Sequence, residues 1–198
     1  MVPAIVLAAG RSSRFGRSKA LARAGHVSFI TQILQALARS GVDEVVVVAR
    51  AGDGELAAEV ARAGAAARVV VNPDAERGQL SSLLAGLDAV DRRGVERVLV
   101  TLVDMPLVSP STFRRLLDAA AASSAAVVRA AHAGRHGHPV VFKRAAFEAL
   151  RRADPSVGAK AVVRALATED VEVDDRGVLE DVDTPADYRR LFEREPDQ

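Results

Sequence analysis

The chain has 198 residues, 49% hydrophobic but only 4% aromatic, with 27 Lys and Arg, 26 Asp and Glu, and no cysteine. That apolar content supports one domain with a substantial core and excludes a disordered chain. A formal charge of +1 argues against nucleic acid as a partner, and the missing thiols exclude disulfides, thiol nucleophiles and thiolate metal sites.

The first element is the apolar run Ala4–Ala9, which reads as a buried strand. It empties into Gly10-Arg11-Ser12-Ser13-Arg14-Phe15-Gly16-Arg17-Ser18-Lys19. Glycine lets backbone approach a ligand closely, and successive N–H groups then face an anion. Arg14 can fork onto phosphate oxygens, whereas Lys19 offers a compact charge. The plainer alternative is a basic turn after a first strand. Neither the Walker spacing nor G-x-G-x-x-G is present. Lysine occurs only at 19, 143 and 160 in a chain that otherwise uses arginine, which singles out Lys19 as a wanted point charge.

Helical patterning at Ser28–Ser40 ends before Gly41, a C′ glycine. Strand Glu44–Ala49, helix Gly54–Ala63, strand Arg68–Val71, helix Leu80–Val90 and strand Arg97–Thr101 follow. Continuous valines such as Val45–Val48 call for helices on both sheet faces. Strand Arg97–Thr101 leads to Asp104-Met105-Pro106. A carboxylate at the end of a buried strand must be hydrogen-bonded, paired or metal-bound. Mg²⁺ is a suitable partner if phosphates lie over Gly10–Lys19; an Asp opening a turn is the alternative.

Helix Pro110–Ala122 starts with Ser109 as N-cap and Pro at N1. Strands Ala125–Ala131 and Pro139–Phe142, helices Arg144–Arg152 and Gly158–Ala167, and a strand near Val171–Asp174 come next. The irregular stretch 125–177 is expected to form a substrate-binding lobe on the same domain. His132, His136 and His138 lack nearby acidic or thiol partners, so zinc is disfavoured. The Ser12-Ser13 and Ser81-Ser82 pairs lie outside G-x-S-x-G and read as hydrogen-bonding groups rather than nucleophiles. Asp181 and Asp183 can face one side of an extended segment, so either can join Asp104 on a metal. Thr184-Pro185 with Asp187 reads as a capping box opening helix Pro185–Arg194. The alternation predicts a doubly wound α/β fold, a mostly parallel sheet with helices on both faces. Residues 1–192 read as a single domain and 193–198 as a tail. No apolar run is long enough to span a bilayer and no leader is evident, so the expectation is a cytoplasmic protein with no membrane partner.

Leu7-Ala8-Ala9-Gly10 with Arg11–Gly16 and Lys19 resembles the signature of the nucleotidyltransferase superfamily with the glycosyltransferase-A-like fold. The version here is similar to the molybdenum-cofactor cytidylyltransferase group. Four later pieces match in order: Asn72-Pro73-Asp74 leading to Gly78–Leu83, Asp104-Met105-Pro106, Gly137-His138-Pro139-Val140, and Asp181–Tyr188. The resemblance covers Ala4 to about Leu191.

It implies catalytic roles for Arg14, Lys19 and Asp104. Nucleotide contacts would come from Leu7, Ala8, Ala9, Gly10, Arg11, Ser12, Ser13, Asn72, Gly78, Ser81 and Ser82. Gly137, His138, Pro139 and Lys160 would face the acceptor, and Asp104 with Asp183 would hold Mg²⁺. Ala8-Ala9 implies CTP, and the acceptor implied is a pterin with a terminal phosphate, molybdopterin or the molybdenum cofactor. A molybdoenzyme or its chaperone is the implied protein partner. Two stretches depart from the group: Ala75–Leu80 carries Arg77 and Gln79 where Glu-Gly-Leu is usual, and Ala153–Lys160 is longer, with Lys for Arg. The expected reaction joins an NTP to a phosphorylated acceptor and releases pyrophosphate. Two alternatives stay open: a guanylyl- or cytidylyltransferase acting on a sugar, alcohol or hydroxy-acid phosphate, and a non-catalytic nucleotide-binding protein in molybdoenzyme maturation.

Overall fold

Pro3–Leu7, apolar and buried at every position, forms β1. In this computed structural model, which describes residues 1–11, 15, 18–64, 66–154 and 158–193, β1 sits inside a seven-stranded sheet. The elements that follow are β2 (Arg23–Ala24), β3 (Val27–Ser28), α1 (Phe29–Ala38), β4 (Glu44–Arg50), α2 (Gly54–Arg62) and β5 (Ala67–Asn72). Then come α3 (Gln79–Val90), β6 (Arg97–Leu102), α4 (Pro110–Ala122), β7 (Val127–His132) and β8 (Arg135–Lys143). The chain closes through α5 (Arg144–Arg152), α6 (Ala159–Ala165), β9 (Thr168–Glu172) and α7 (Pro185–Phe192).

Strand order is β5-β4-β1-β6-β8-β7-β9. β8 runs antiparallel to β6 and β7; every other pairing in this sheet is parallel. The small β2–β3 hairpin stands apart. Helices cover both faces. Ile30, Ile33, Leu34 and Leu37 of α1 pack on one face with Leu56 of α2 and Phe113 and Leu116 of α4. Leu83 and Leu87 of α3, Phe147 and Leu150 of α5 and Val162 of α6 pack on the other. The fold is thus the doubly wound, mostly parallel α/β form.

Local chemistry sets the helix starts. Ser28, Asp53 and Ser109 accept the N-terminal amides of Thr31, Leu56 and Thr112, relieving donors that no helical carbonyl reaches. Thr184 and Asp187 form a reciprocal capping box on α7.

The expected lobe over 125–177 is instead a continuation of the sheet. Val100, Leu99 and Val98 of β6 pair with Val140, Val141 and Phe142 of β8. An apolar strand registered against another has no reason to leave the sheet. The late strand falls at Thr168–Glu172 rather than Val171–Asp174. Its outward residues are charged, and Val171 is its one buried position, so the apolar signal was too thin to fix its limits. Among the described residues no helix is long and apolar enough to cross a membrane.

Candidate active site

In open α/β sheets ligands sit beyond the carboxyl ends of the strands. Here β1 and β6 end side by side, with Leu7 opposite Leu102. The Val103 amide donates to the Leu7 carbonyl (3.1 Å) and the Ala8 amide to that of Val48 (2.9 Å). The first bond joins the ends of β1 and β6, the second ties β1 to β4, and the loops after β1 and β6 form two walls of a cavity of about 340 Å³. The third wall is the start of α3 and the 3-10 turn Ala75–Arg77 before it.

That cavity gathers Leu7, Ala8, Ala9, Gly10, Arg11, Lys19, Gly78, Ser82 and Asp104, nine residues singled out in the sequence. Gly78 turns into α3 at φ 97°, a region that side-chain-bearing residues rarely adopt. Asn72 and Ser81 stand behind the wall. The Asn72 amide donates to Ser81 Oγ (2.9 Å) and Ser82 Oγ (3.0 Å), and its oxygen accepts the Asp74 amide (2.9 Å). Asn72 is buried, and its hydrogen-bonding capacity shapes the loop. Ser12, Ser13 and Arg14 lie outside the described residues.

Gln79, within the Gly78–Ser82 stretch expected at the base and ribose, also lines the cavity, as do Ala75, Glu76, Leu102 and Val103, four residues that sequence reasoning gave no role. Their only signal was proximity to Gly78 and Asp104. Glu76 receives ion pairs from Arg11 and Arg50, which tie the loop after β1 and the end of β4 to the loop after β5. Its carboxyl is held below its ordinary value, first by the Arg11 hydrogen bond.

Lys19 opens a 3-10 turn, Lys19–Leu21, and is buried. Its ammonium donates to Asp183 Oδ1 and to Asp104 Oδ2, the latter at 3.4 Å. The two aspartates are brought together by backbone: the Val182 amide donates to the Asp104 carbonyl at 2.8 Å. Glycines build the platform beneath. A Cβ on Gly137 would lie 1.8 Å from the Val178 carbonyl oxygen, and one on Gly177 would lie 2.6 Å from that of Leu107. Gly137 therefore lets β8 touch the 3-10 turn Arg176–Leu179, from which the Asp181–Asp183 segment departs.

Burial pushes the Asp104 carboxyl above its ordinary value. Lys19 opposes that shift, while Asp183 and Asp181 add to it. Asp104 Oδ1 is buried without a hydrogen-bond partner among the described residues. Two apposed carboxylates, one with an unused buried oxygen, form a donor set that could hold a hard divalent cation.

Gly137, His138, Pro139 and Lys160 do not line the cavity. His138 lies two residues before Val140, the partner of Val100 on β6, and so near the strand end that leads to Asp104. Burial pushes its imidazole down to about 4; a backbone contact with Val100 opposes this and the Lys160 charge adds to it. A neutral ring therefore stands at that edge at physiological pH. His132 is engaged elsewhere, its Nδ1 2.9 Å from the Val173 carbonyl.

The fold is doubly wound, and its Leu7–Arg11 loop shares one cavity with Lys19 and Asp104. The family profile of the MobA-like NTP transferase domain matches residues 4–171, and the chain belongs to that family. The bifunctional IPC transferase and DIPP synthase of Rubrobacter xylanophilus is 37% identical over 120 residues, 59% of this chain and 26% of that protein; the chain thus matches about a quarter of that relative's length. A probable molybdenum cofactor guanylyltransferase of Mycobacterium avium is 28% identical over 94% of this chain and 93% of its own. The crystal structure of Rv0371c from Mycobacterium tuberculosis H37Rv superposes with TM-score 0.83 at 31% identity, covering 98% of this chain and 97% of that one. A manganese complex of Rv0371c gives TM-score 0.76 at 28% identity, covering 97% and 98%.

Proposed function

We propose that this nucleotidyltransferase moves the nucleotidyl group of CTP onto the terminal phosphate of molybdopterin or the molybdenum cofactor. The observation that carries the reading is the Lys19 ammonium between Asp104 and Asp183 at the edge of the cavity. An oxygen of the acceptor phosphate bonds to the α-phosphorus, and the bond from that phosphorus to the bridging oxygen of pyrophosphate breaks. The acceptor phosphate is already ionised near neutral pH, so no protein base is required. What this chain supplies is in-line positioning and neutralisation of charge.

Leu7–Gly10 and the Gly78–Ser82 end of α3 enclose base and ribose. Lys19 and Arg14 take phosphate oxygens. Asp104 and Asp183 would hold Mg²⁺, which would supply polarisation of the α-phosphoryl group and stabilisation of the leaving oxygens. The manganese complex of Rv0371c supports a divalent cation. His138, neutral at its edge of the sheet, offers the acceptor a hydrogen bond without a charge, with Gly137, Pro139 and Lys160 beside it. Ala8-Ala9 supports CTP through the resemblance, and the M. avium relative, by its name, supports the molybdenum cofactor.

That relative also favours a second reading, with GTP as donor. Pyrophosphate release, measured with each of four NTPs against molybdopterin and a panel of sugar, alcohol and hydroxy-acid phosphates, tests both. Release with CTP and molybdopterin is expected; release with GTP alone selects the second reading. NTP binding with no release under any pairing would overturn transfer itself.

A further inference from the structure

We propose that Asp175 is a positioning residue: its carboxylate sets the register of the two chain segments that carry Asp104 and Asp183. The role rests on the nucleotidyl-transfer reading and adds what holds the cation-binding aspartates in step.

The segment after β6, Asp104–Ser109, lies against the segment ahead of α7, Asp175–Asp183. Met105 and Val108 of the first and Val178 of the second are buried in one apolar cluster. Apolar packing is non-directional. It keeps the two segments together but does little to stop one sliding along the other, so contacts with direction must decide the register. Three are present. The Val182 amide donates to the Asp104 carbonyl at 2.8 Å. Gly177 lies so near Leu107 that a Cβ would come within 2.6 Å of the Leu107 carbonyl oxygen. Asp175 Oδ2 accepts the Ser109 amide (2.9 Å) and the Thr112 hydroxyl (2.5 Å). These contacts run in opposite order along the two segments, which are therefore antiparallel, pinned by Asp175 at one end and by Val182 at the other.

Asp175 is suited to the task. Its second oxygen, Oδ1, accepts the Gly177 amide at 2.9 Å, so one carboxylate grips the N-terminus of α4 and the 3-10 turn Arg176–Leu179 together. The Ser109 amide has no helical carbonyl to reach, and Thr112 is buried; a charged acceptor makes both bonds strong. Burial would raise the Asp175 carboxyl, but the bonds from Thr112, Ser109 and Gly177 outweigh it and hold the group below its ordinary value. It is thus ionised at neutral pH. Asp175 does not line the cavity, so it acts on the site through the chain.

The test is hydrogen exchange of the Val182 amide, read by NMR on the full chain and compared with the amide of Val47, buried in β4. In Asp175→Asn the carboxamide nitrogen must face one of the three donors. Val182 is expected to exchange about tenfold faster relative to Val47. Mn²⁺, followed by the electron paramagnetic resonance of the free ion, should bind about tenfold more weakly. A role in stability alone would speed both amides alike, so an unchanged ratio overturns the proposal. Thr112→Val removes one bond and should raise the ratio by about threefold, whereas Thr112→Ser keeps the hydroxyl and should leave it at the wild-type value. Equal ratios in these two variants also overturn the proposal, and they decide it alone if Asp175→Asn does not fold. A raised ratio with unchanged Mn²⁺ affinity overturns the link to the aspartates. Pyrophosphate release by the wild type reads the reaction separately. A raised ratio and weaker Mn²⁺ binding without release keep the positioning role and discard the transfer; release with an unchanged ratio does the reverse.

Discussion

At the residue scale, Asp104 is poorly placed for stability. Its carboxyl lies above its ordinary value because burial outweighs the help of Lys19, and Asp183 and Asp181 worsen it. The proposed cation role requires such a group, so function and stability would part company there. Asp104→Asn is therefore expected to melt above the wild type at neutral pH while turnover is lost. The sign follows from linkage. A carboxyl whose folded pKa is raised is a burden in its ionised form, so the wild type loses stability as pH climbs past the unfolded value. The advantage of the variant should shrink as pH falls toward 3.8. Melting curves across pH with cation removed check this; a variant that melts below the wild type at neutral pH would contradict it.

At the element scale, α3 is the piece that must be close. Gly86 faces the sheet, and a Cβ there would come within 2.6 Å of Ile5 Cγ2 and 3.0 Å of Val48 Cγ2. Both neighbours are branched and stiff. Gly86→Ala should lift the helix from β1 and β4 and lower stability by about 1–3 kcal/mol, measured by urea unfolding. The same displacement moves Gly78 and Ser82, so KM for the NTP should rise more than kcat falls. Loss of stability with unchanged KM would separate the helix from the cavity. Strands and helices of this kind were legible because their apolar periods repeat. The Arg135–Gly137 start of β8 was not: it projects beyond the end of β6 and pairs only with β7, so no buried pattern marks it. Gly137 was singled out as an acceptor contact, whereas its packing against the Val178 carbonyl is long-range and silent in sequence. The Asn72 amide is another such case, since its bonds to Ser81 and Ser82 of α3 and to the Asp74 amide cannot be read from one letter. Lys19 and Asp104 could be named in advance because a charge at a strand end or in a glycine loop is rarely idle, whereas Asp183 came from the family resemblance, spacing alone having left Asp181 open. Their meeting at one ammonium needed coordinates.

At the scale of the whole molecule, the scarce aromatics are concentrated where the ends of the chain meet. Phe15, Phe29 and Tyr188 are buried in one cluster, with Phe192 packed against it. The tilted rings of Tyr188 and Phe192 lie 4.7 Å apart, Phe29 lies 5.6 Å from Phe192, and Phe15 lies 6.2 Å from Tyr188. The Tyr188 hydroxyl donates to the Arg23 carbonyl. This fastens α7 to the segment around Lys19 and fixes Asp183 just ahead of it. Tyr188→Ala should cost about 3–5 kcal/mol, read from urea unfolding. It should also weaken Mn²⁺ binding to the folded fraction, through the placement of α7 behind Asp183. Asp183 stands 164 residues beyond Lys19. A polypeptide halted short of Pro185 would lose Tyr188 and Phe192 together, and with them the anchor that holds both the segment after Lys19 and the approach to Asp183.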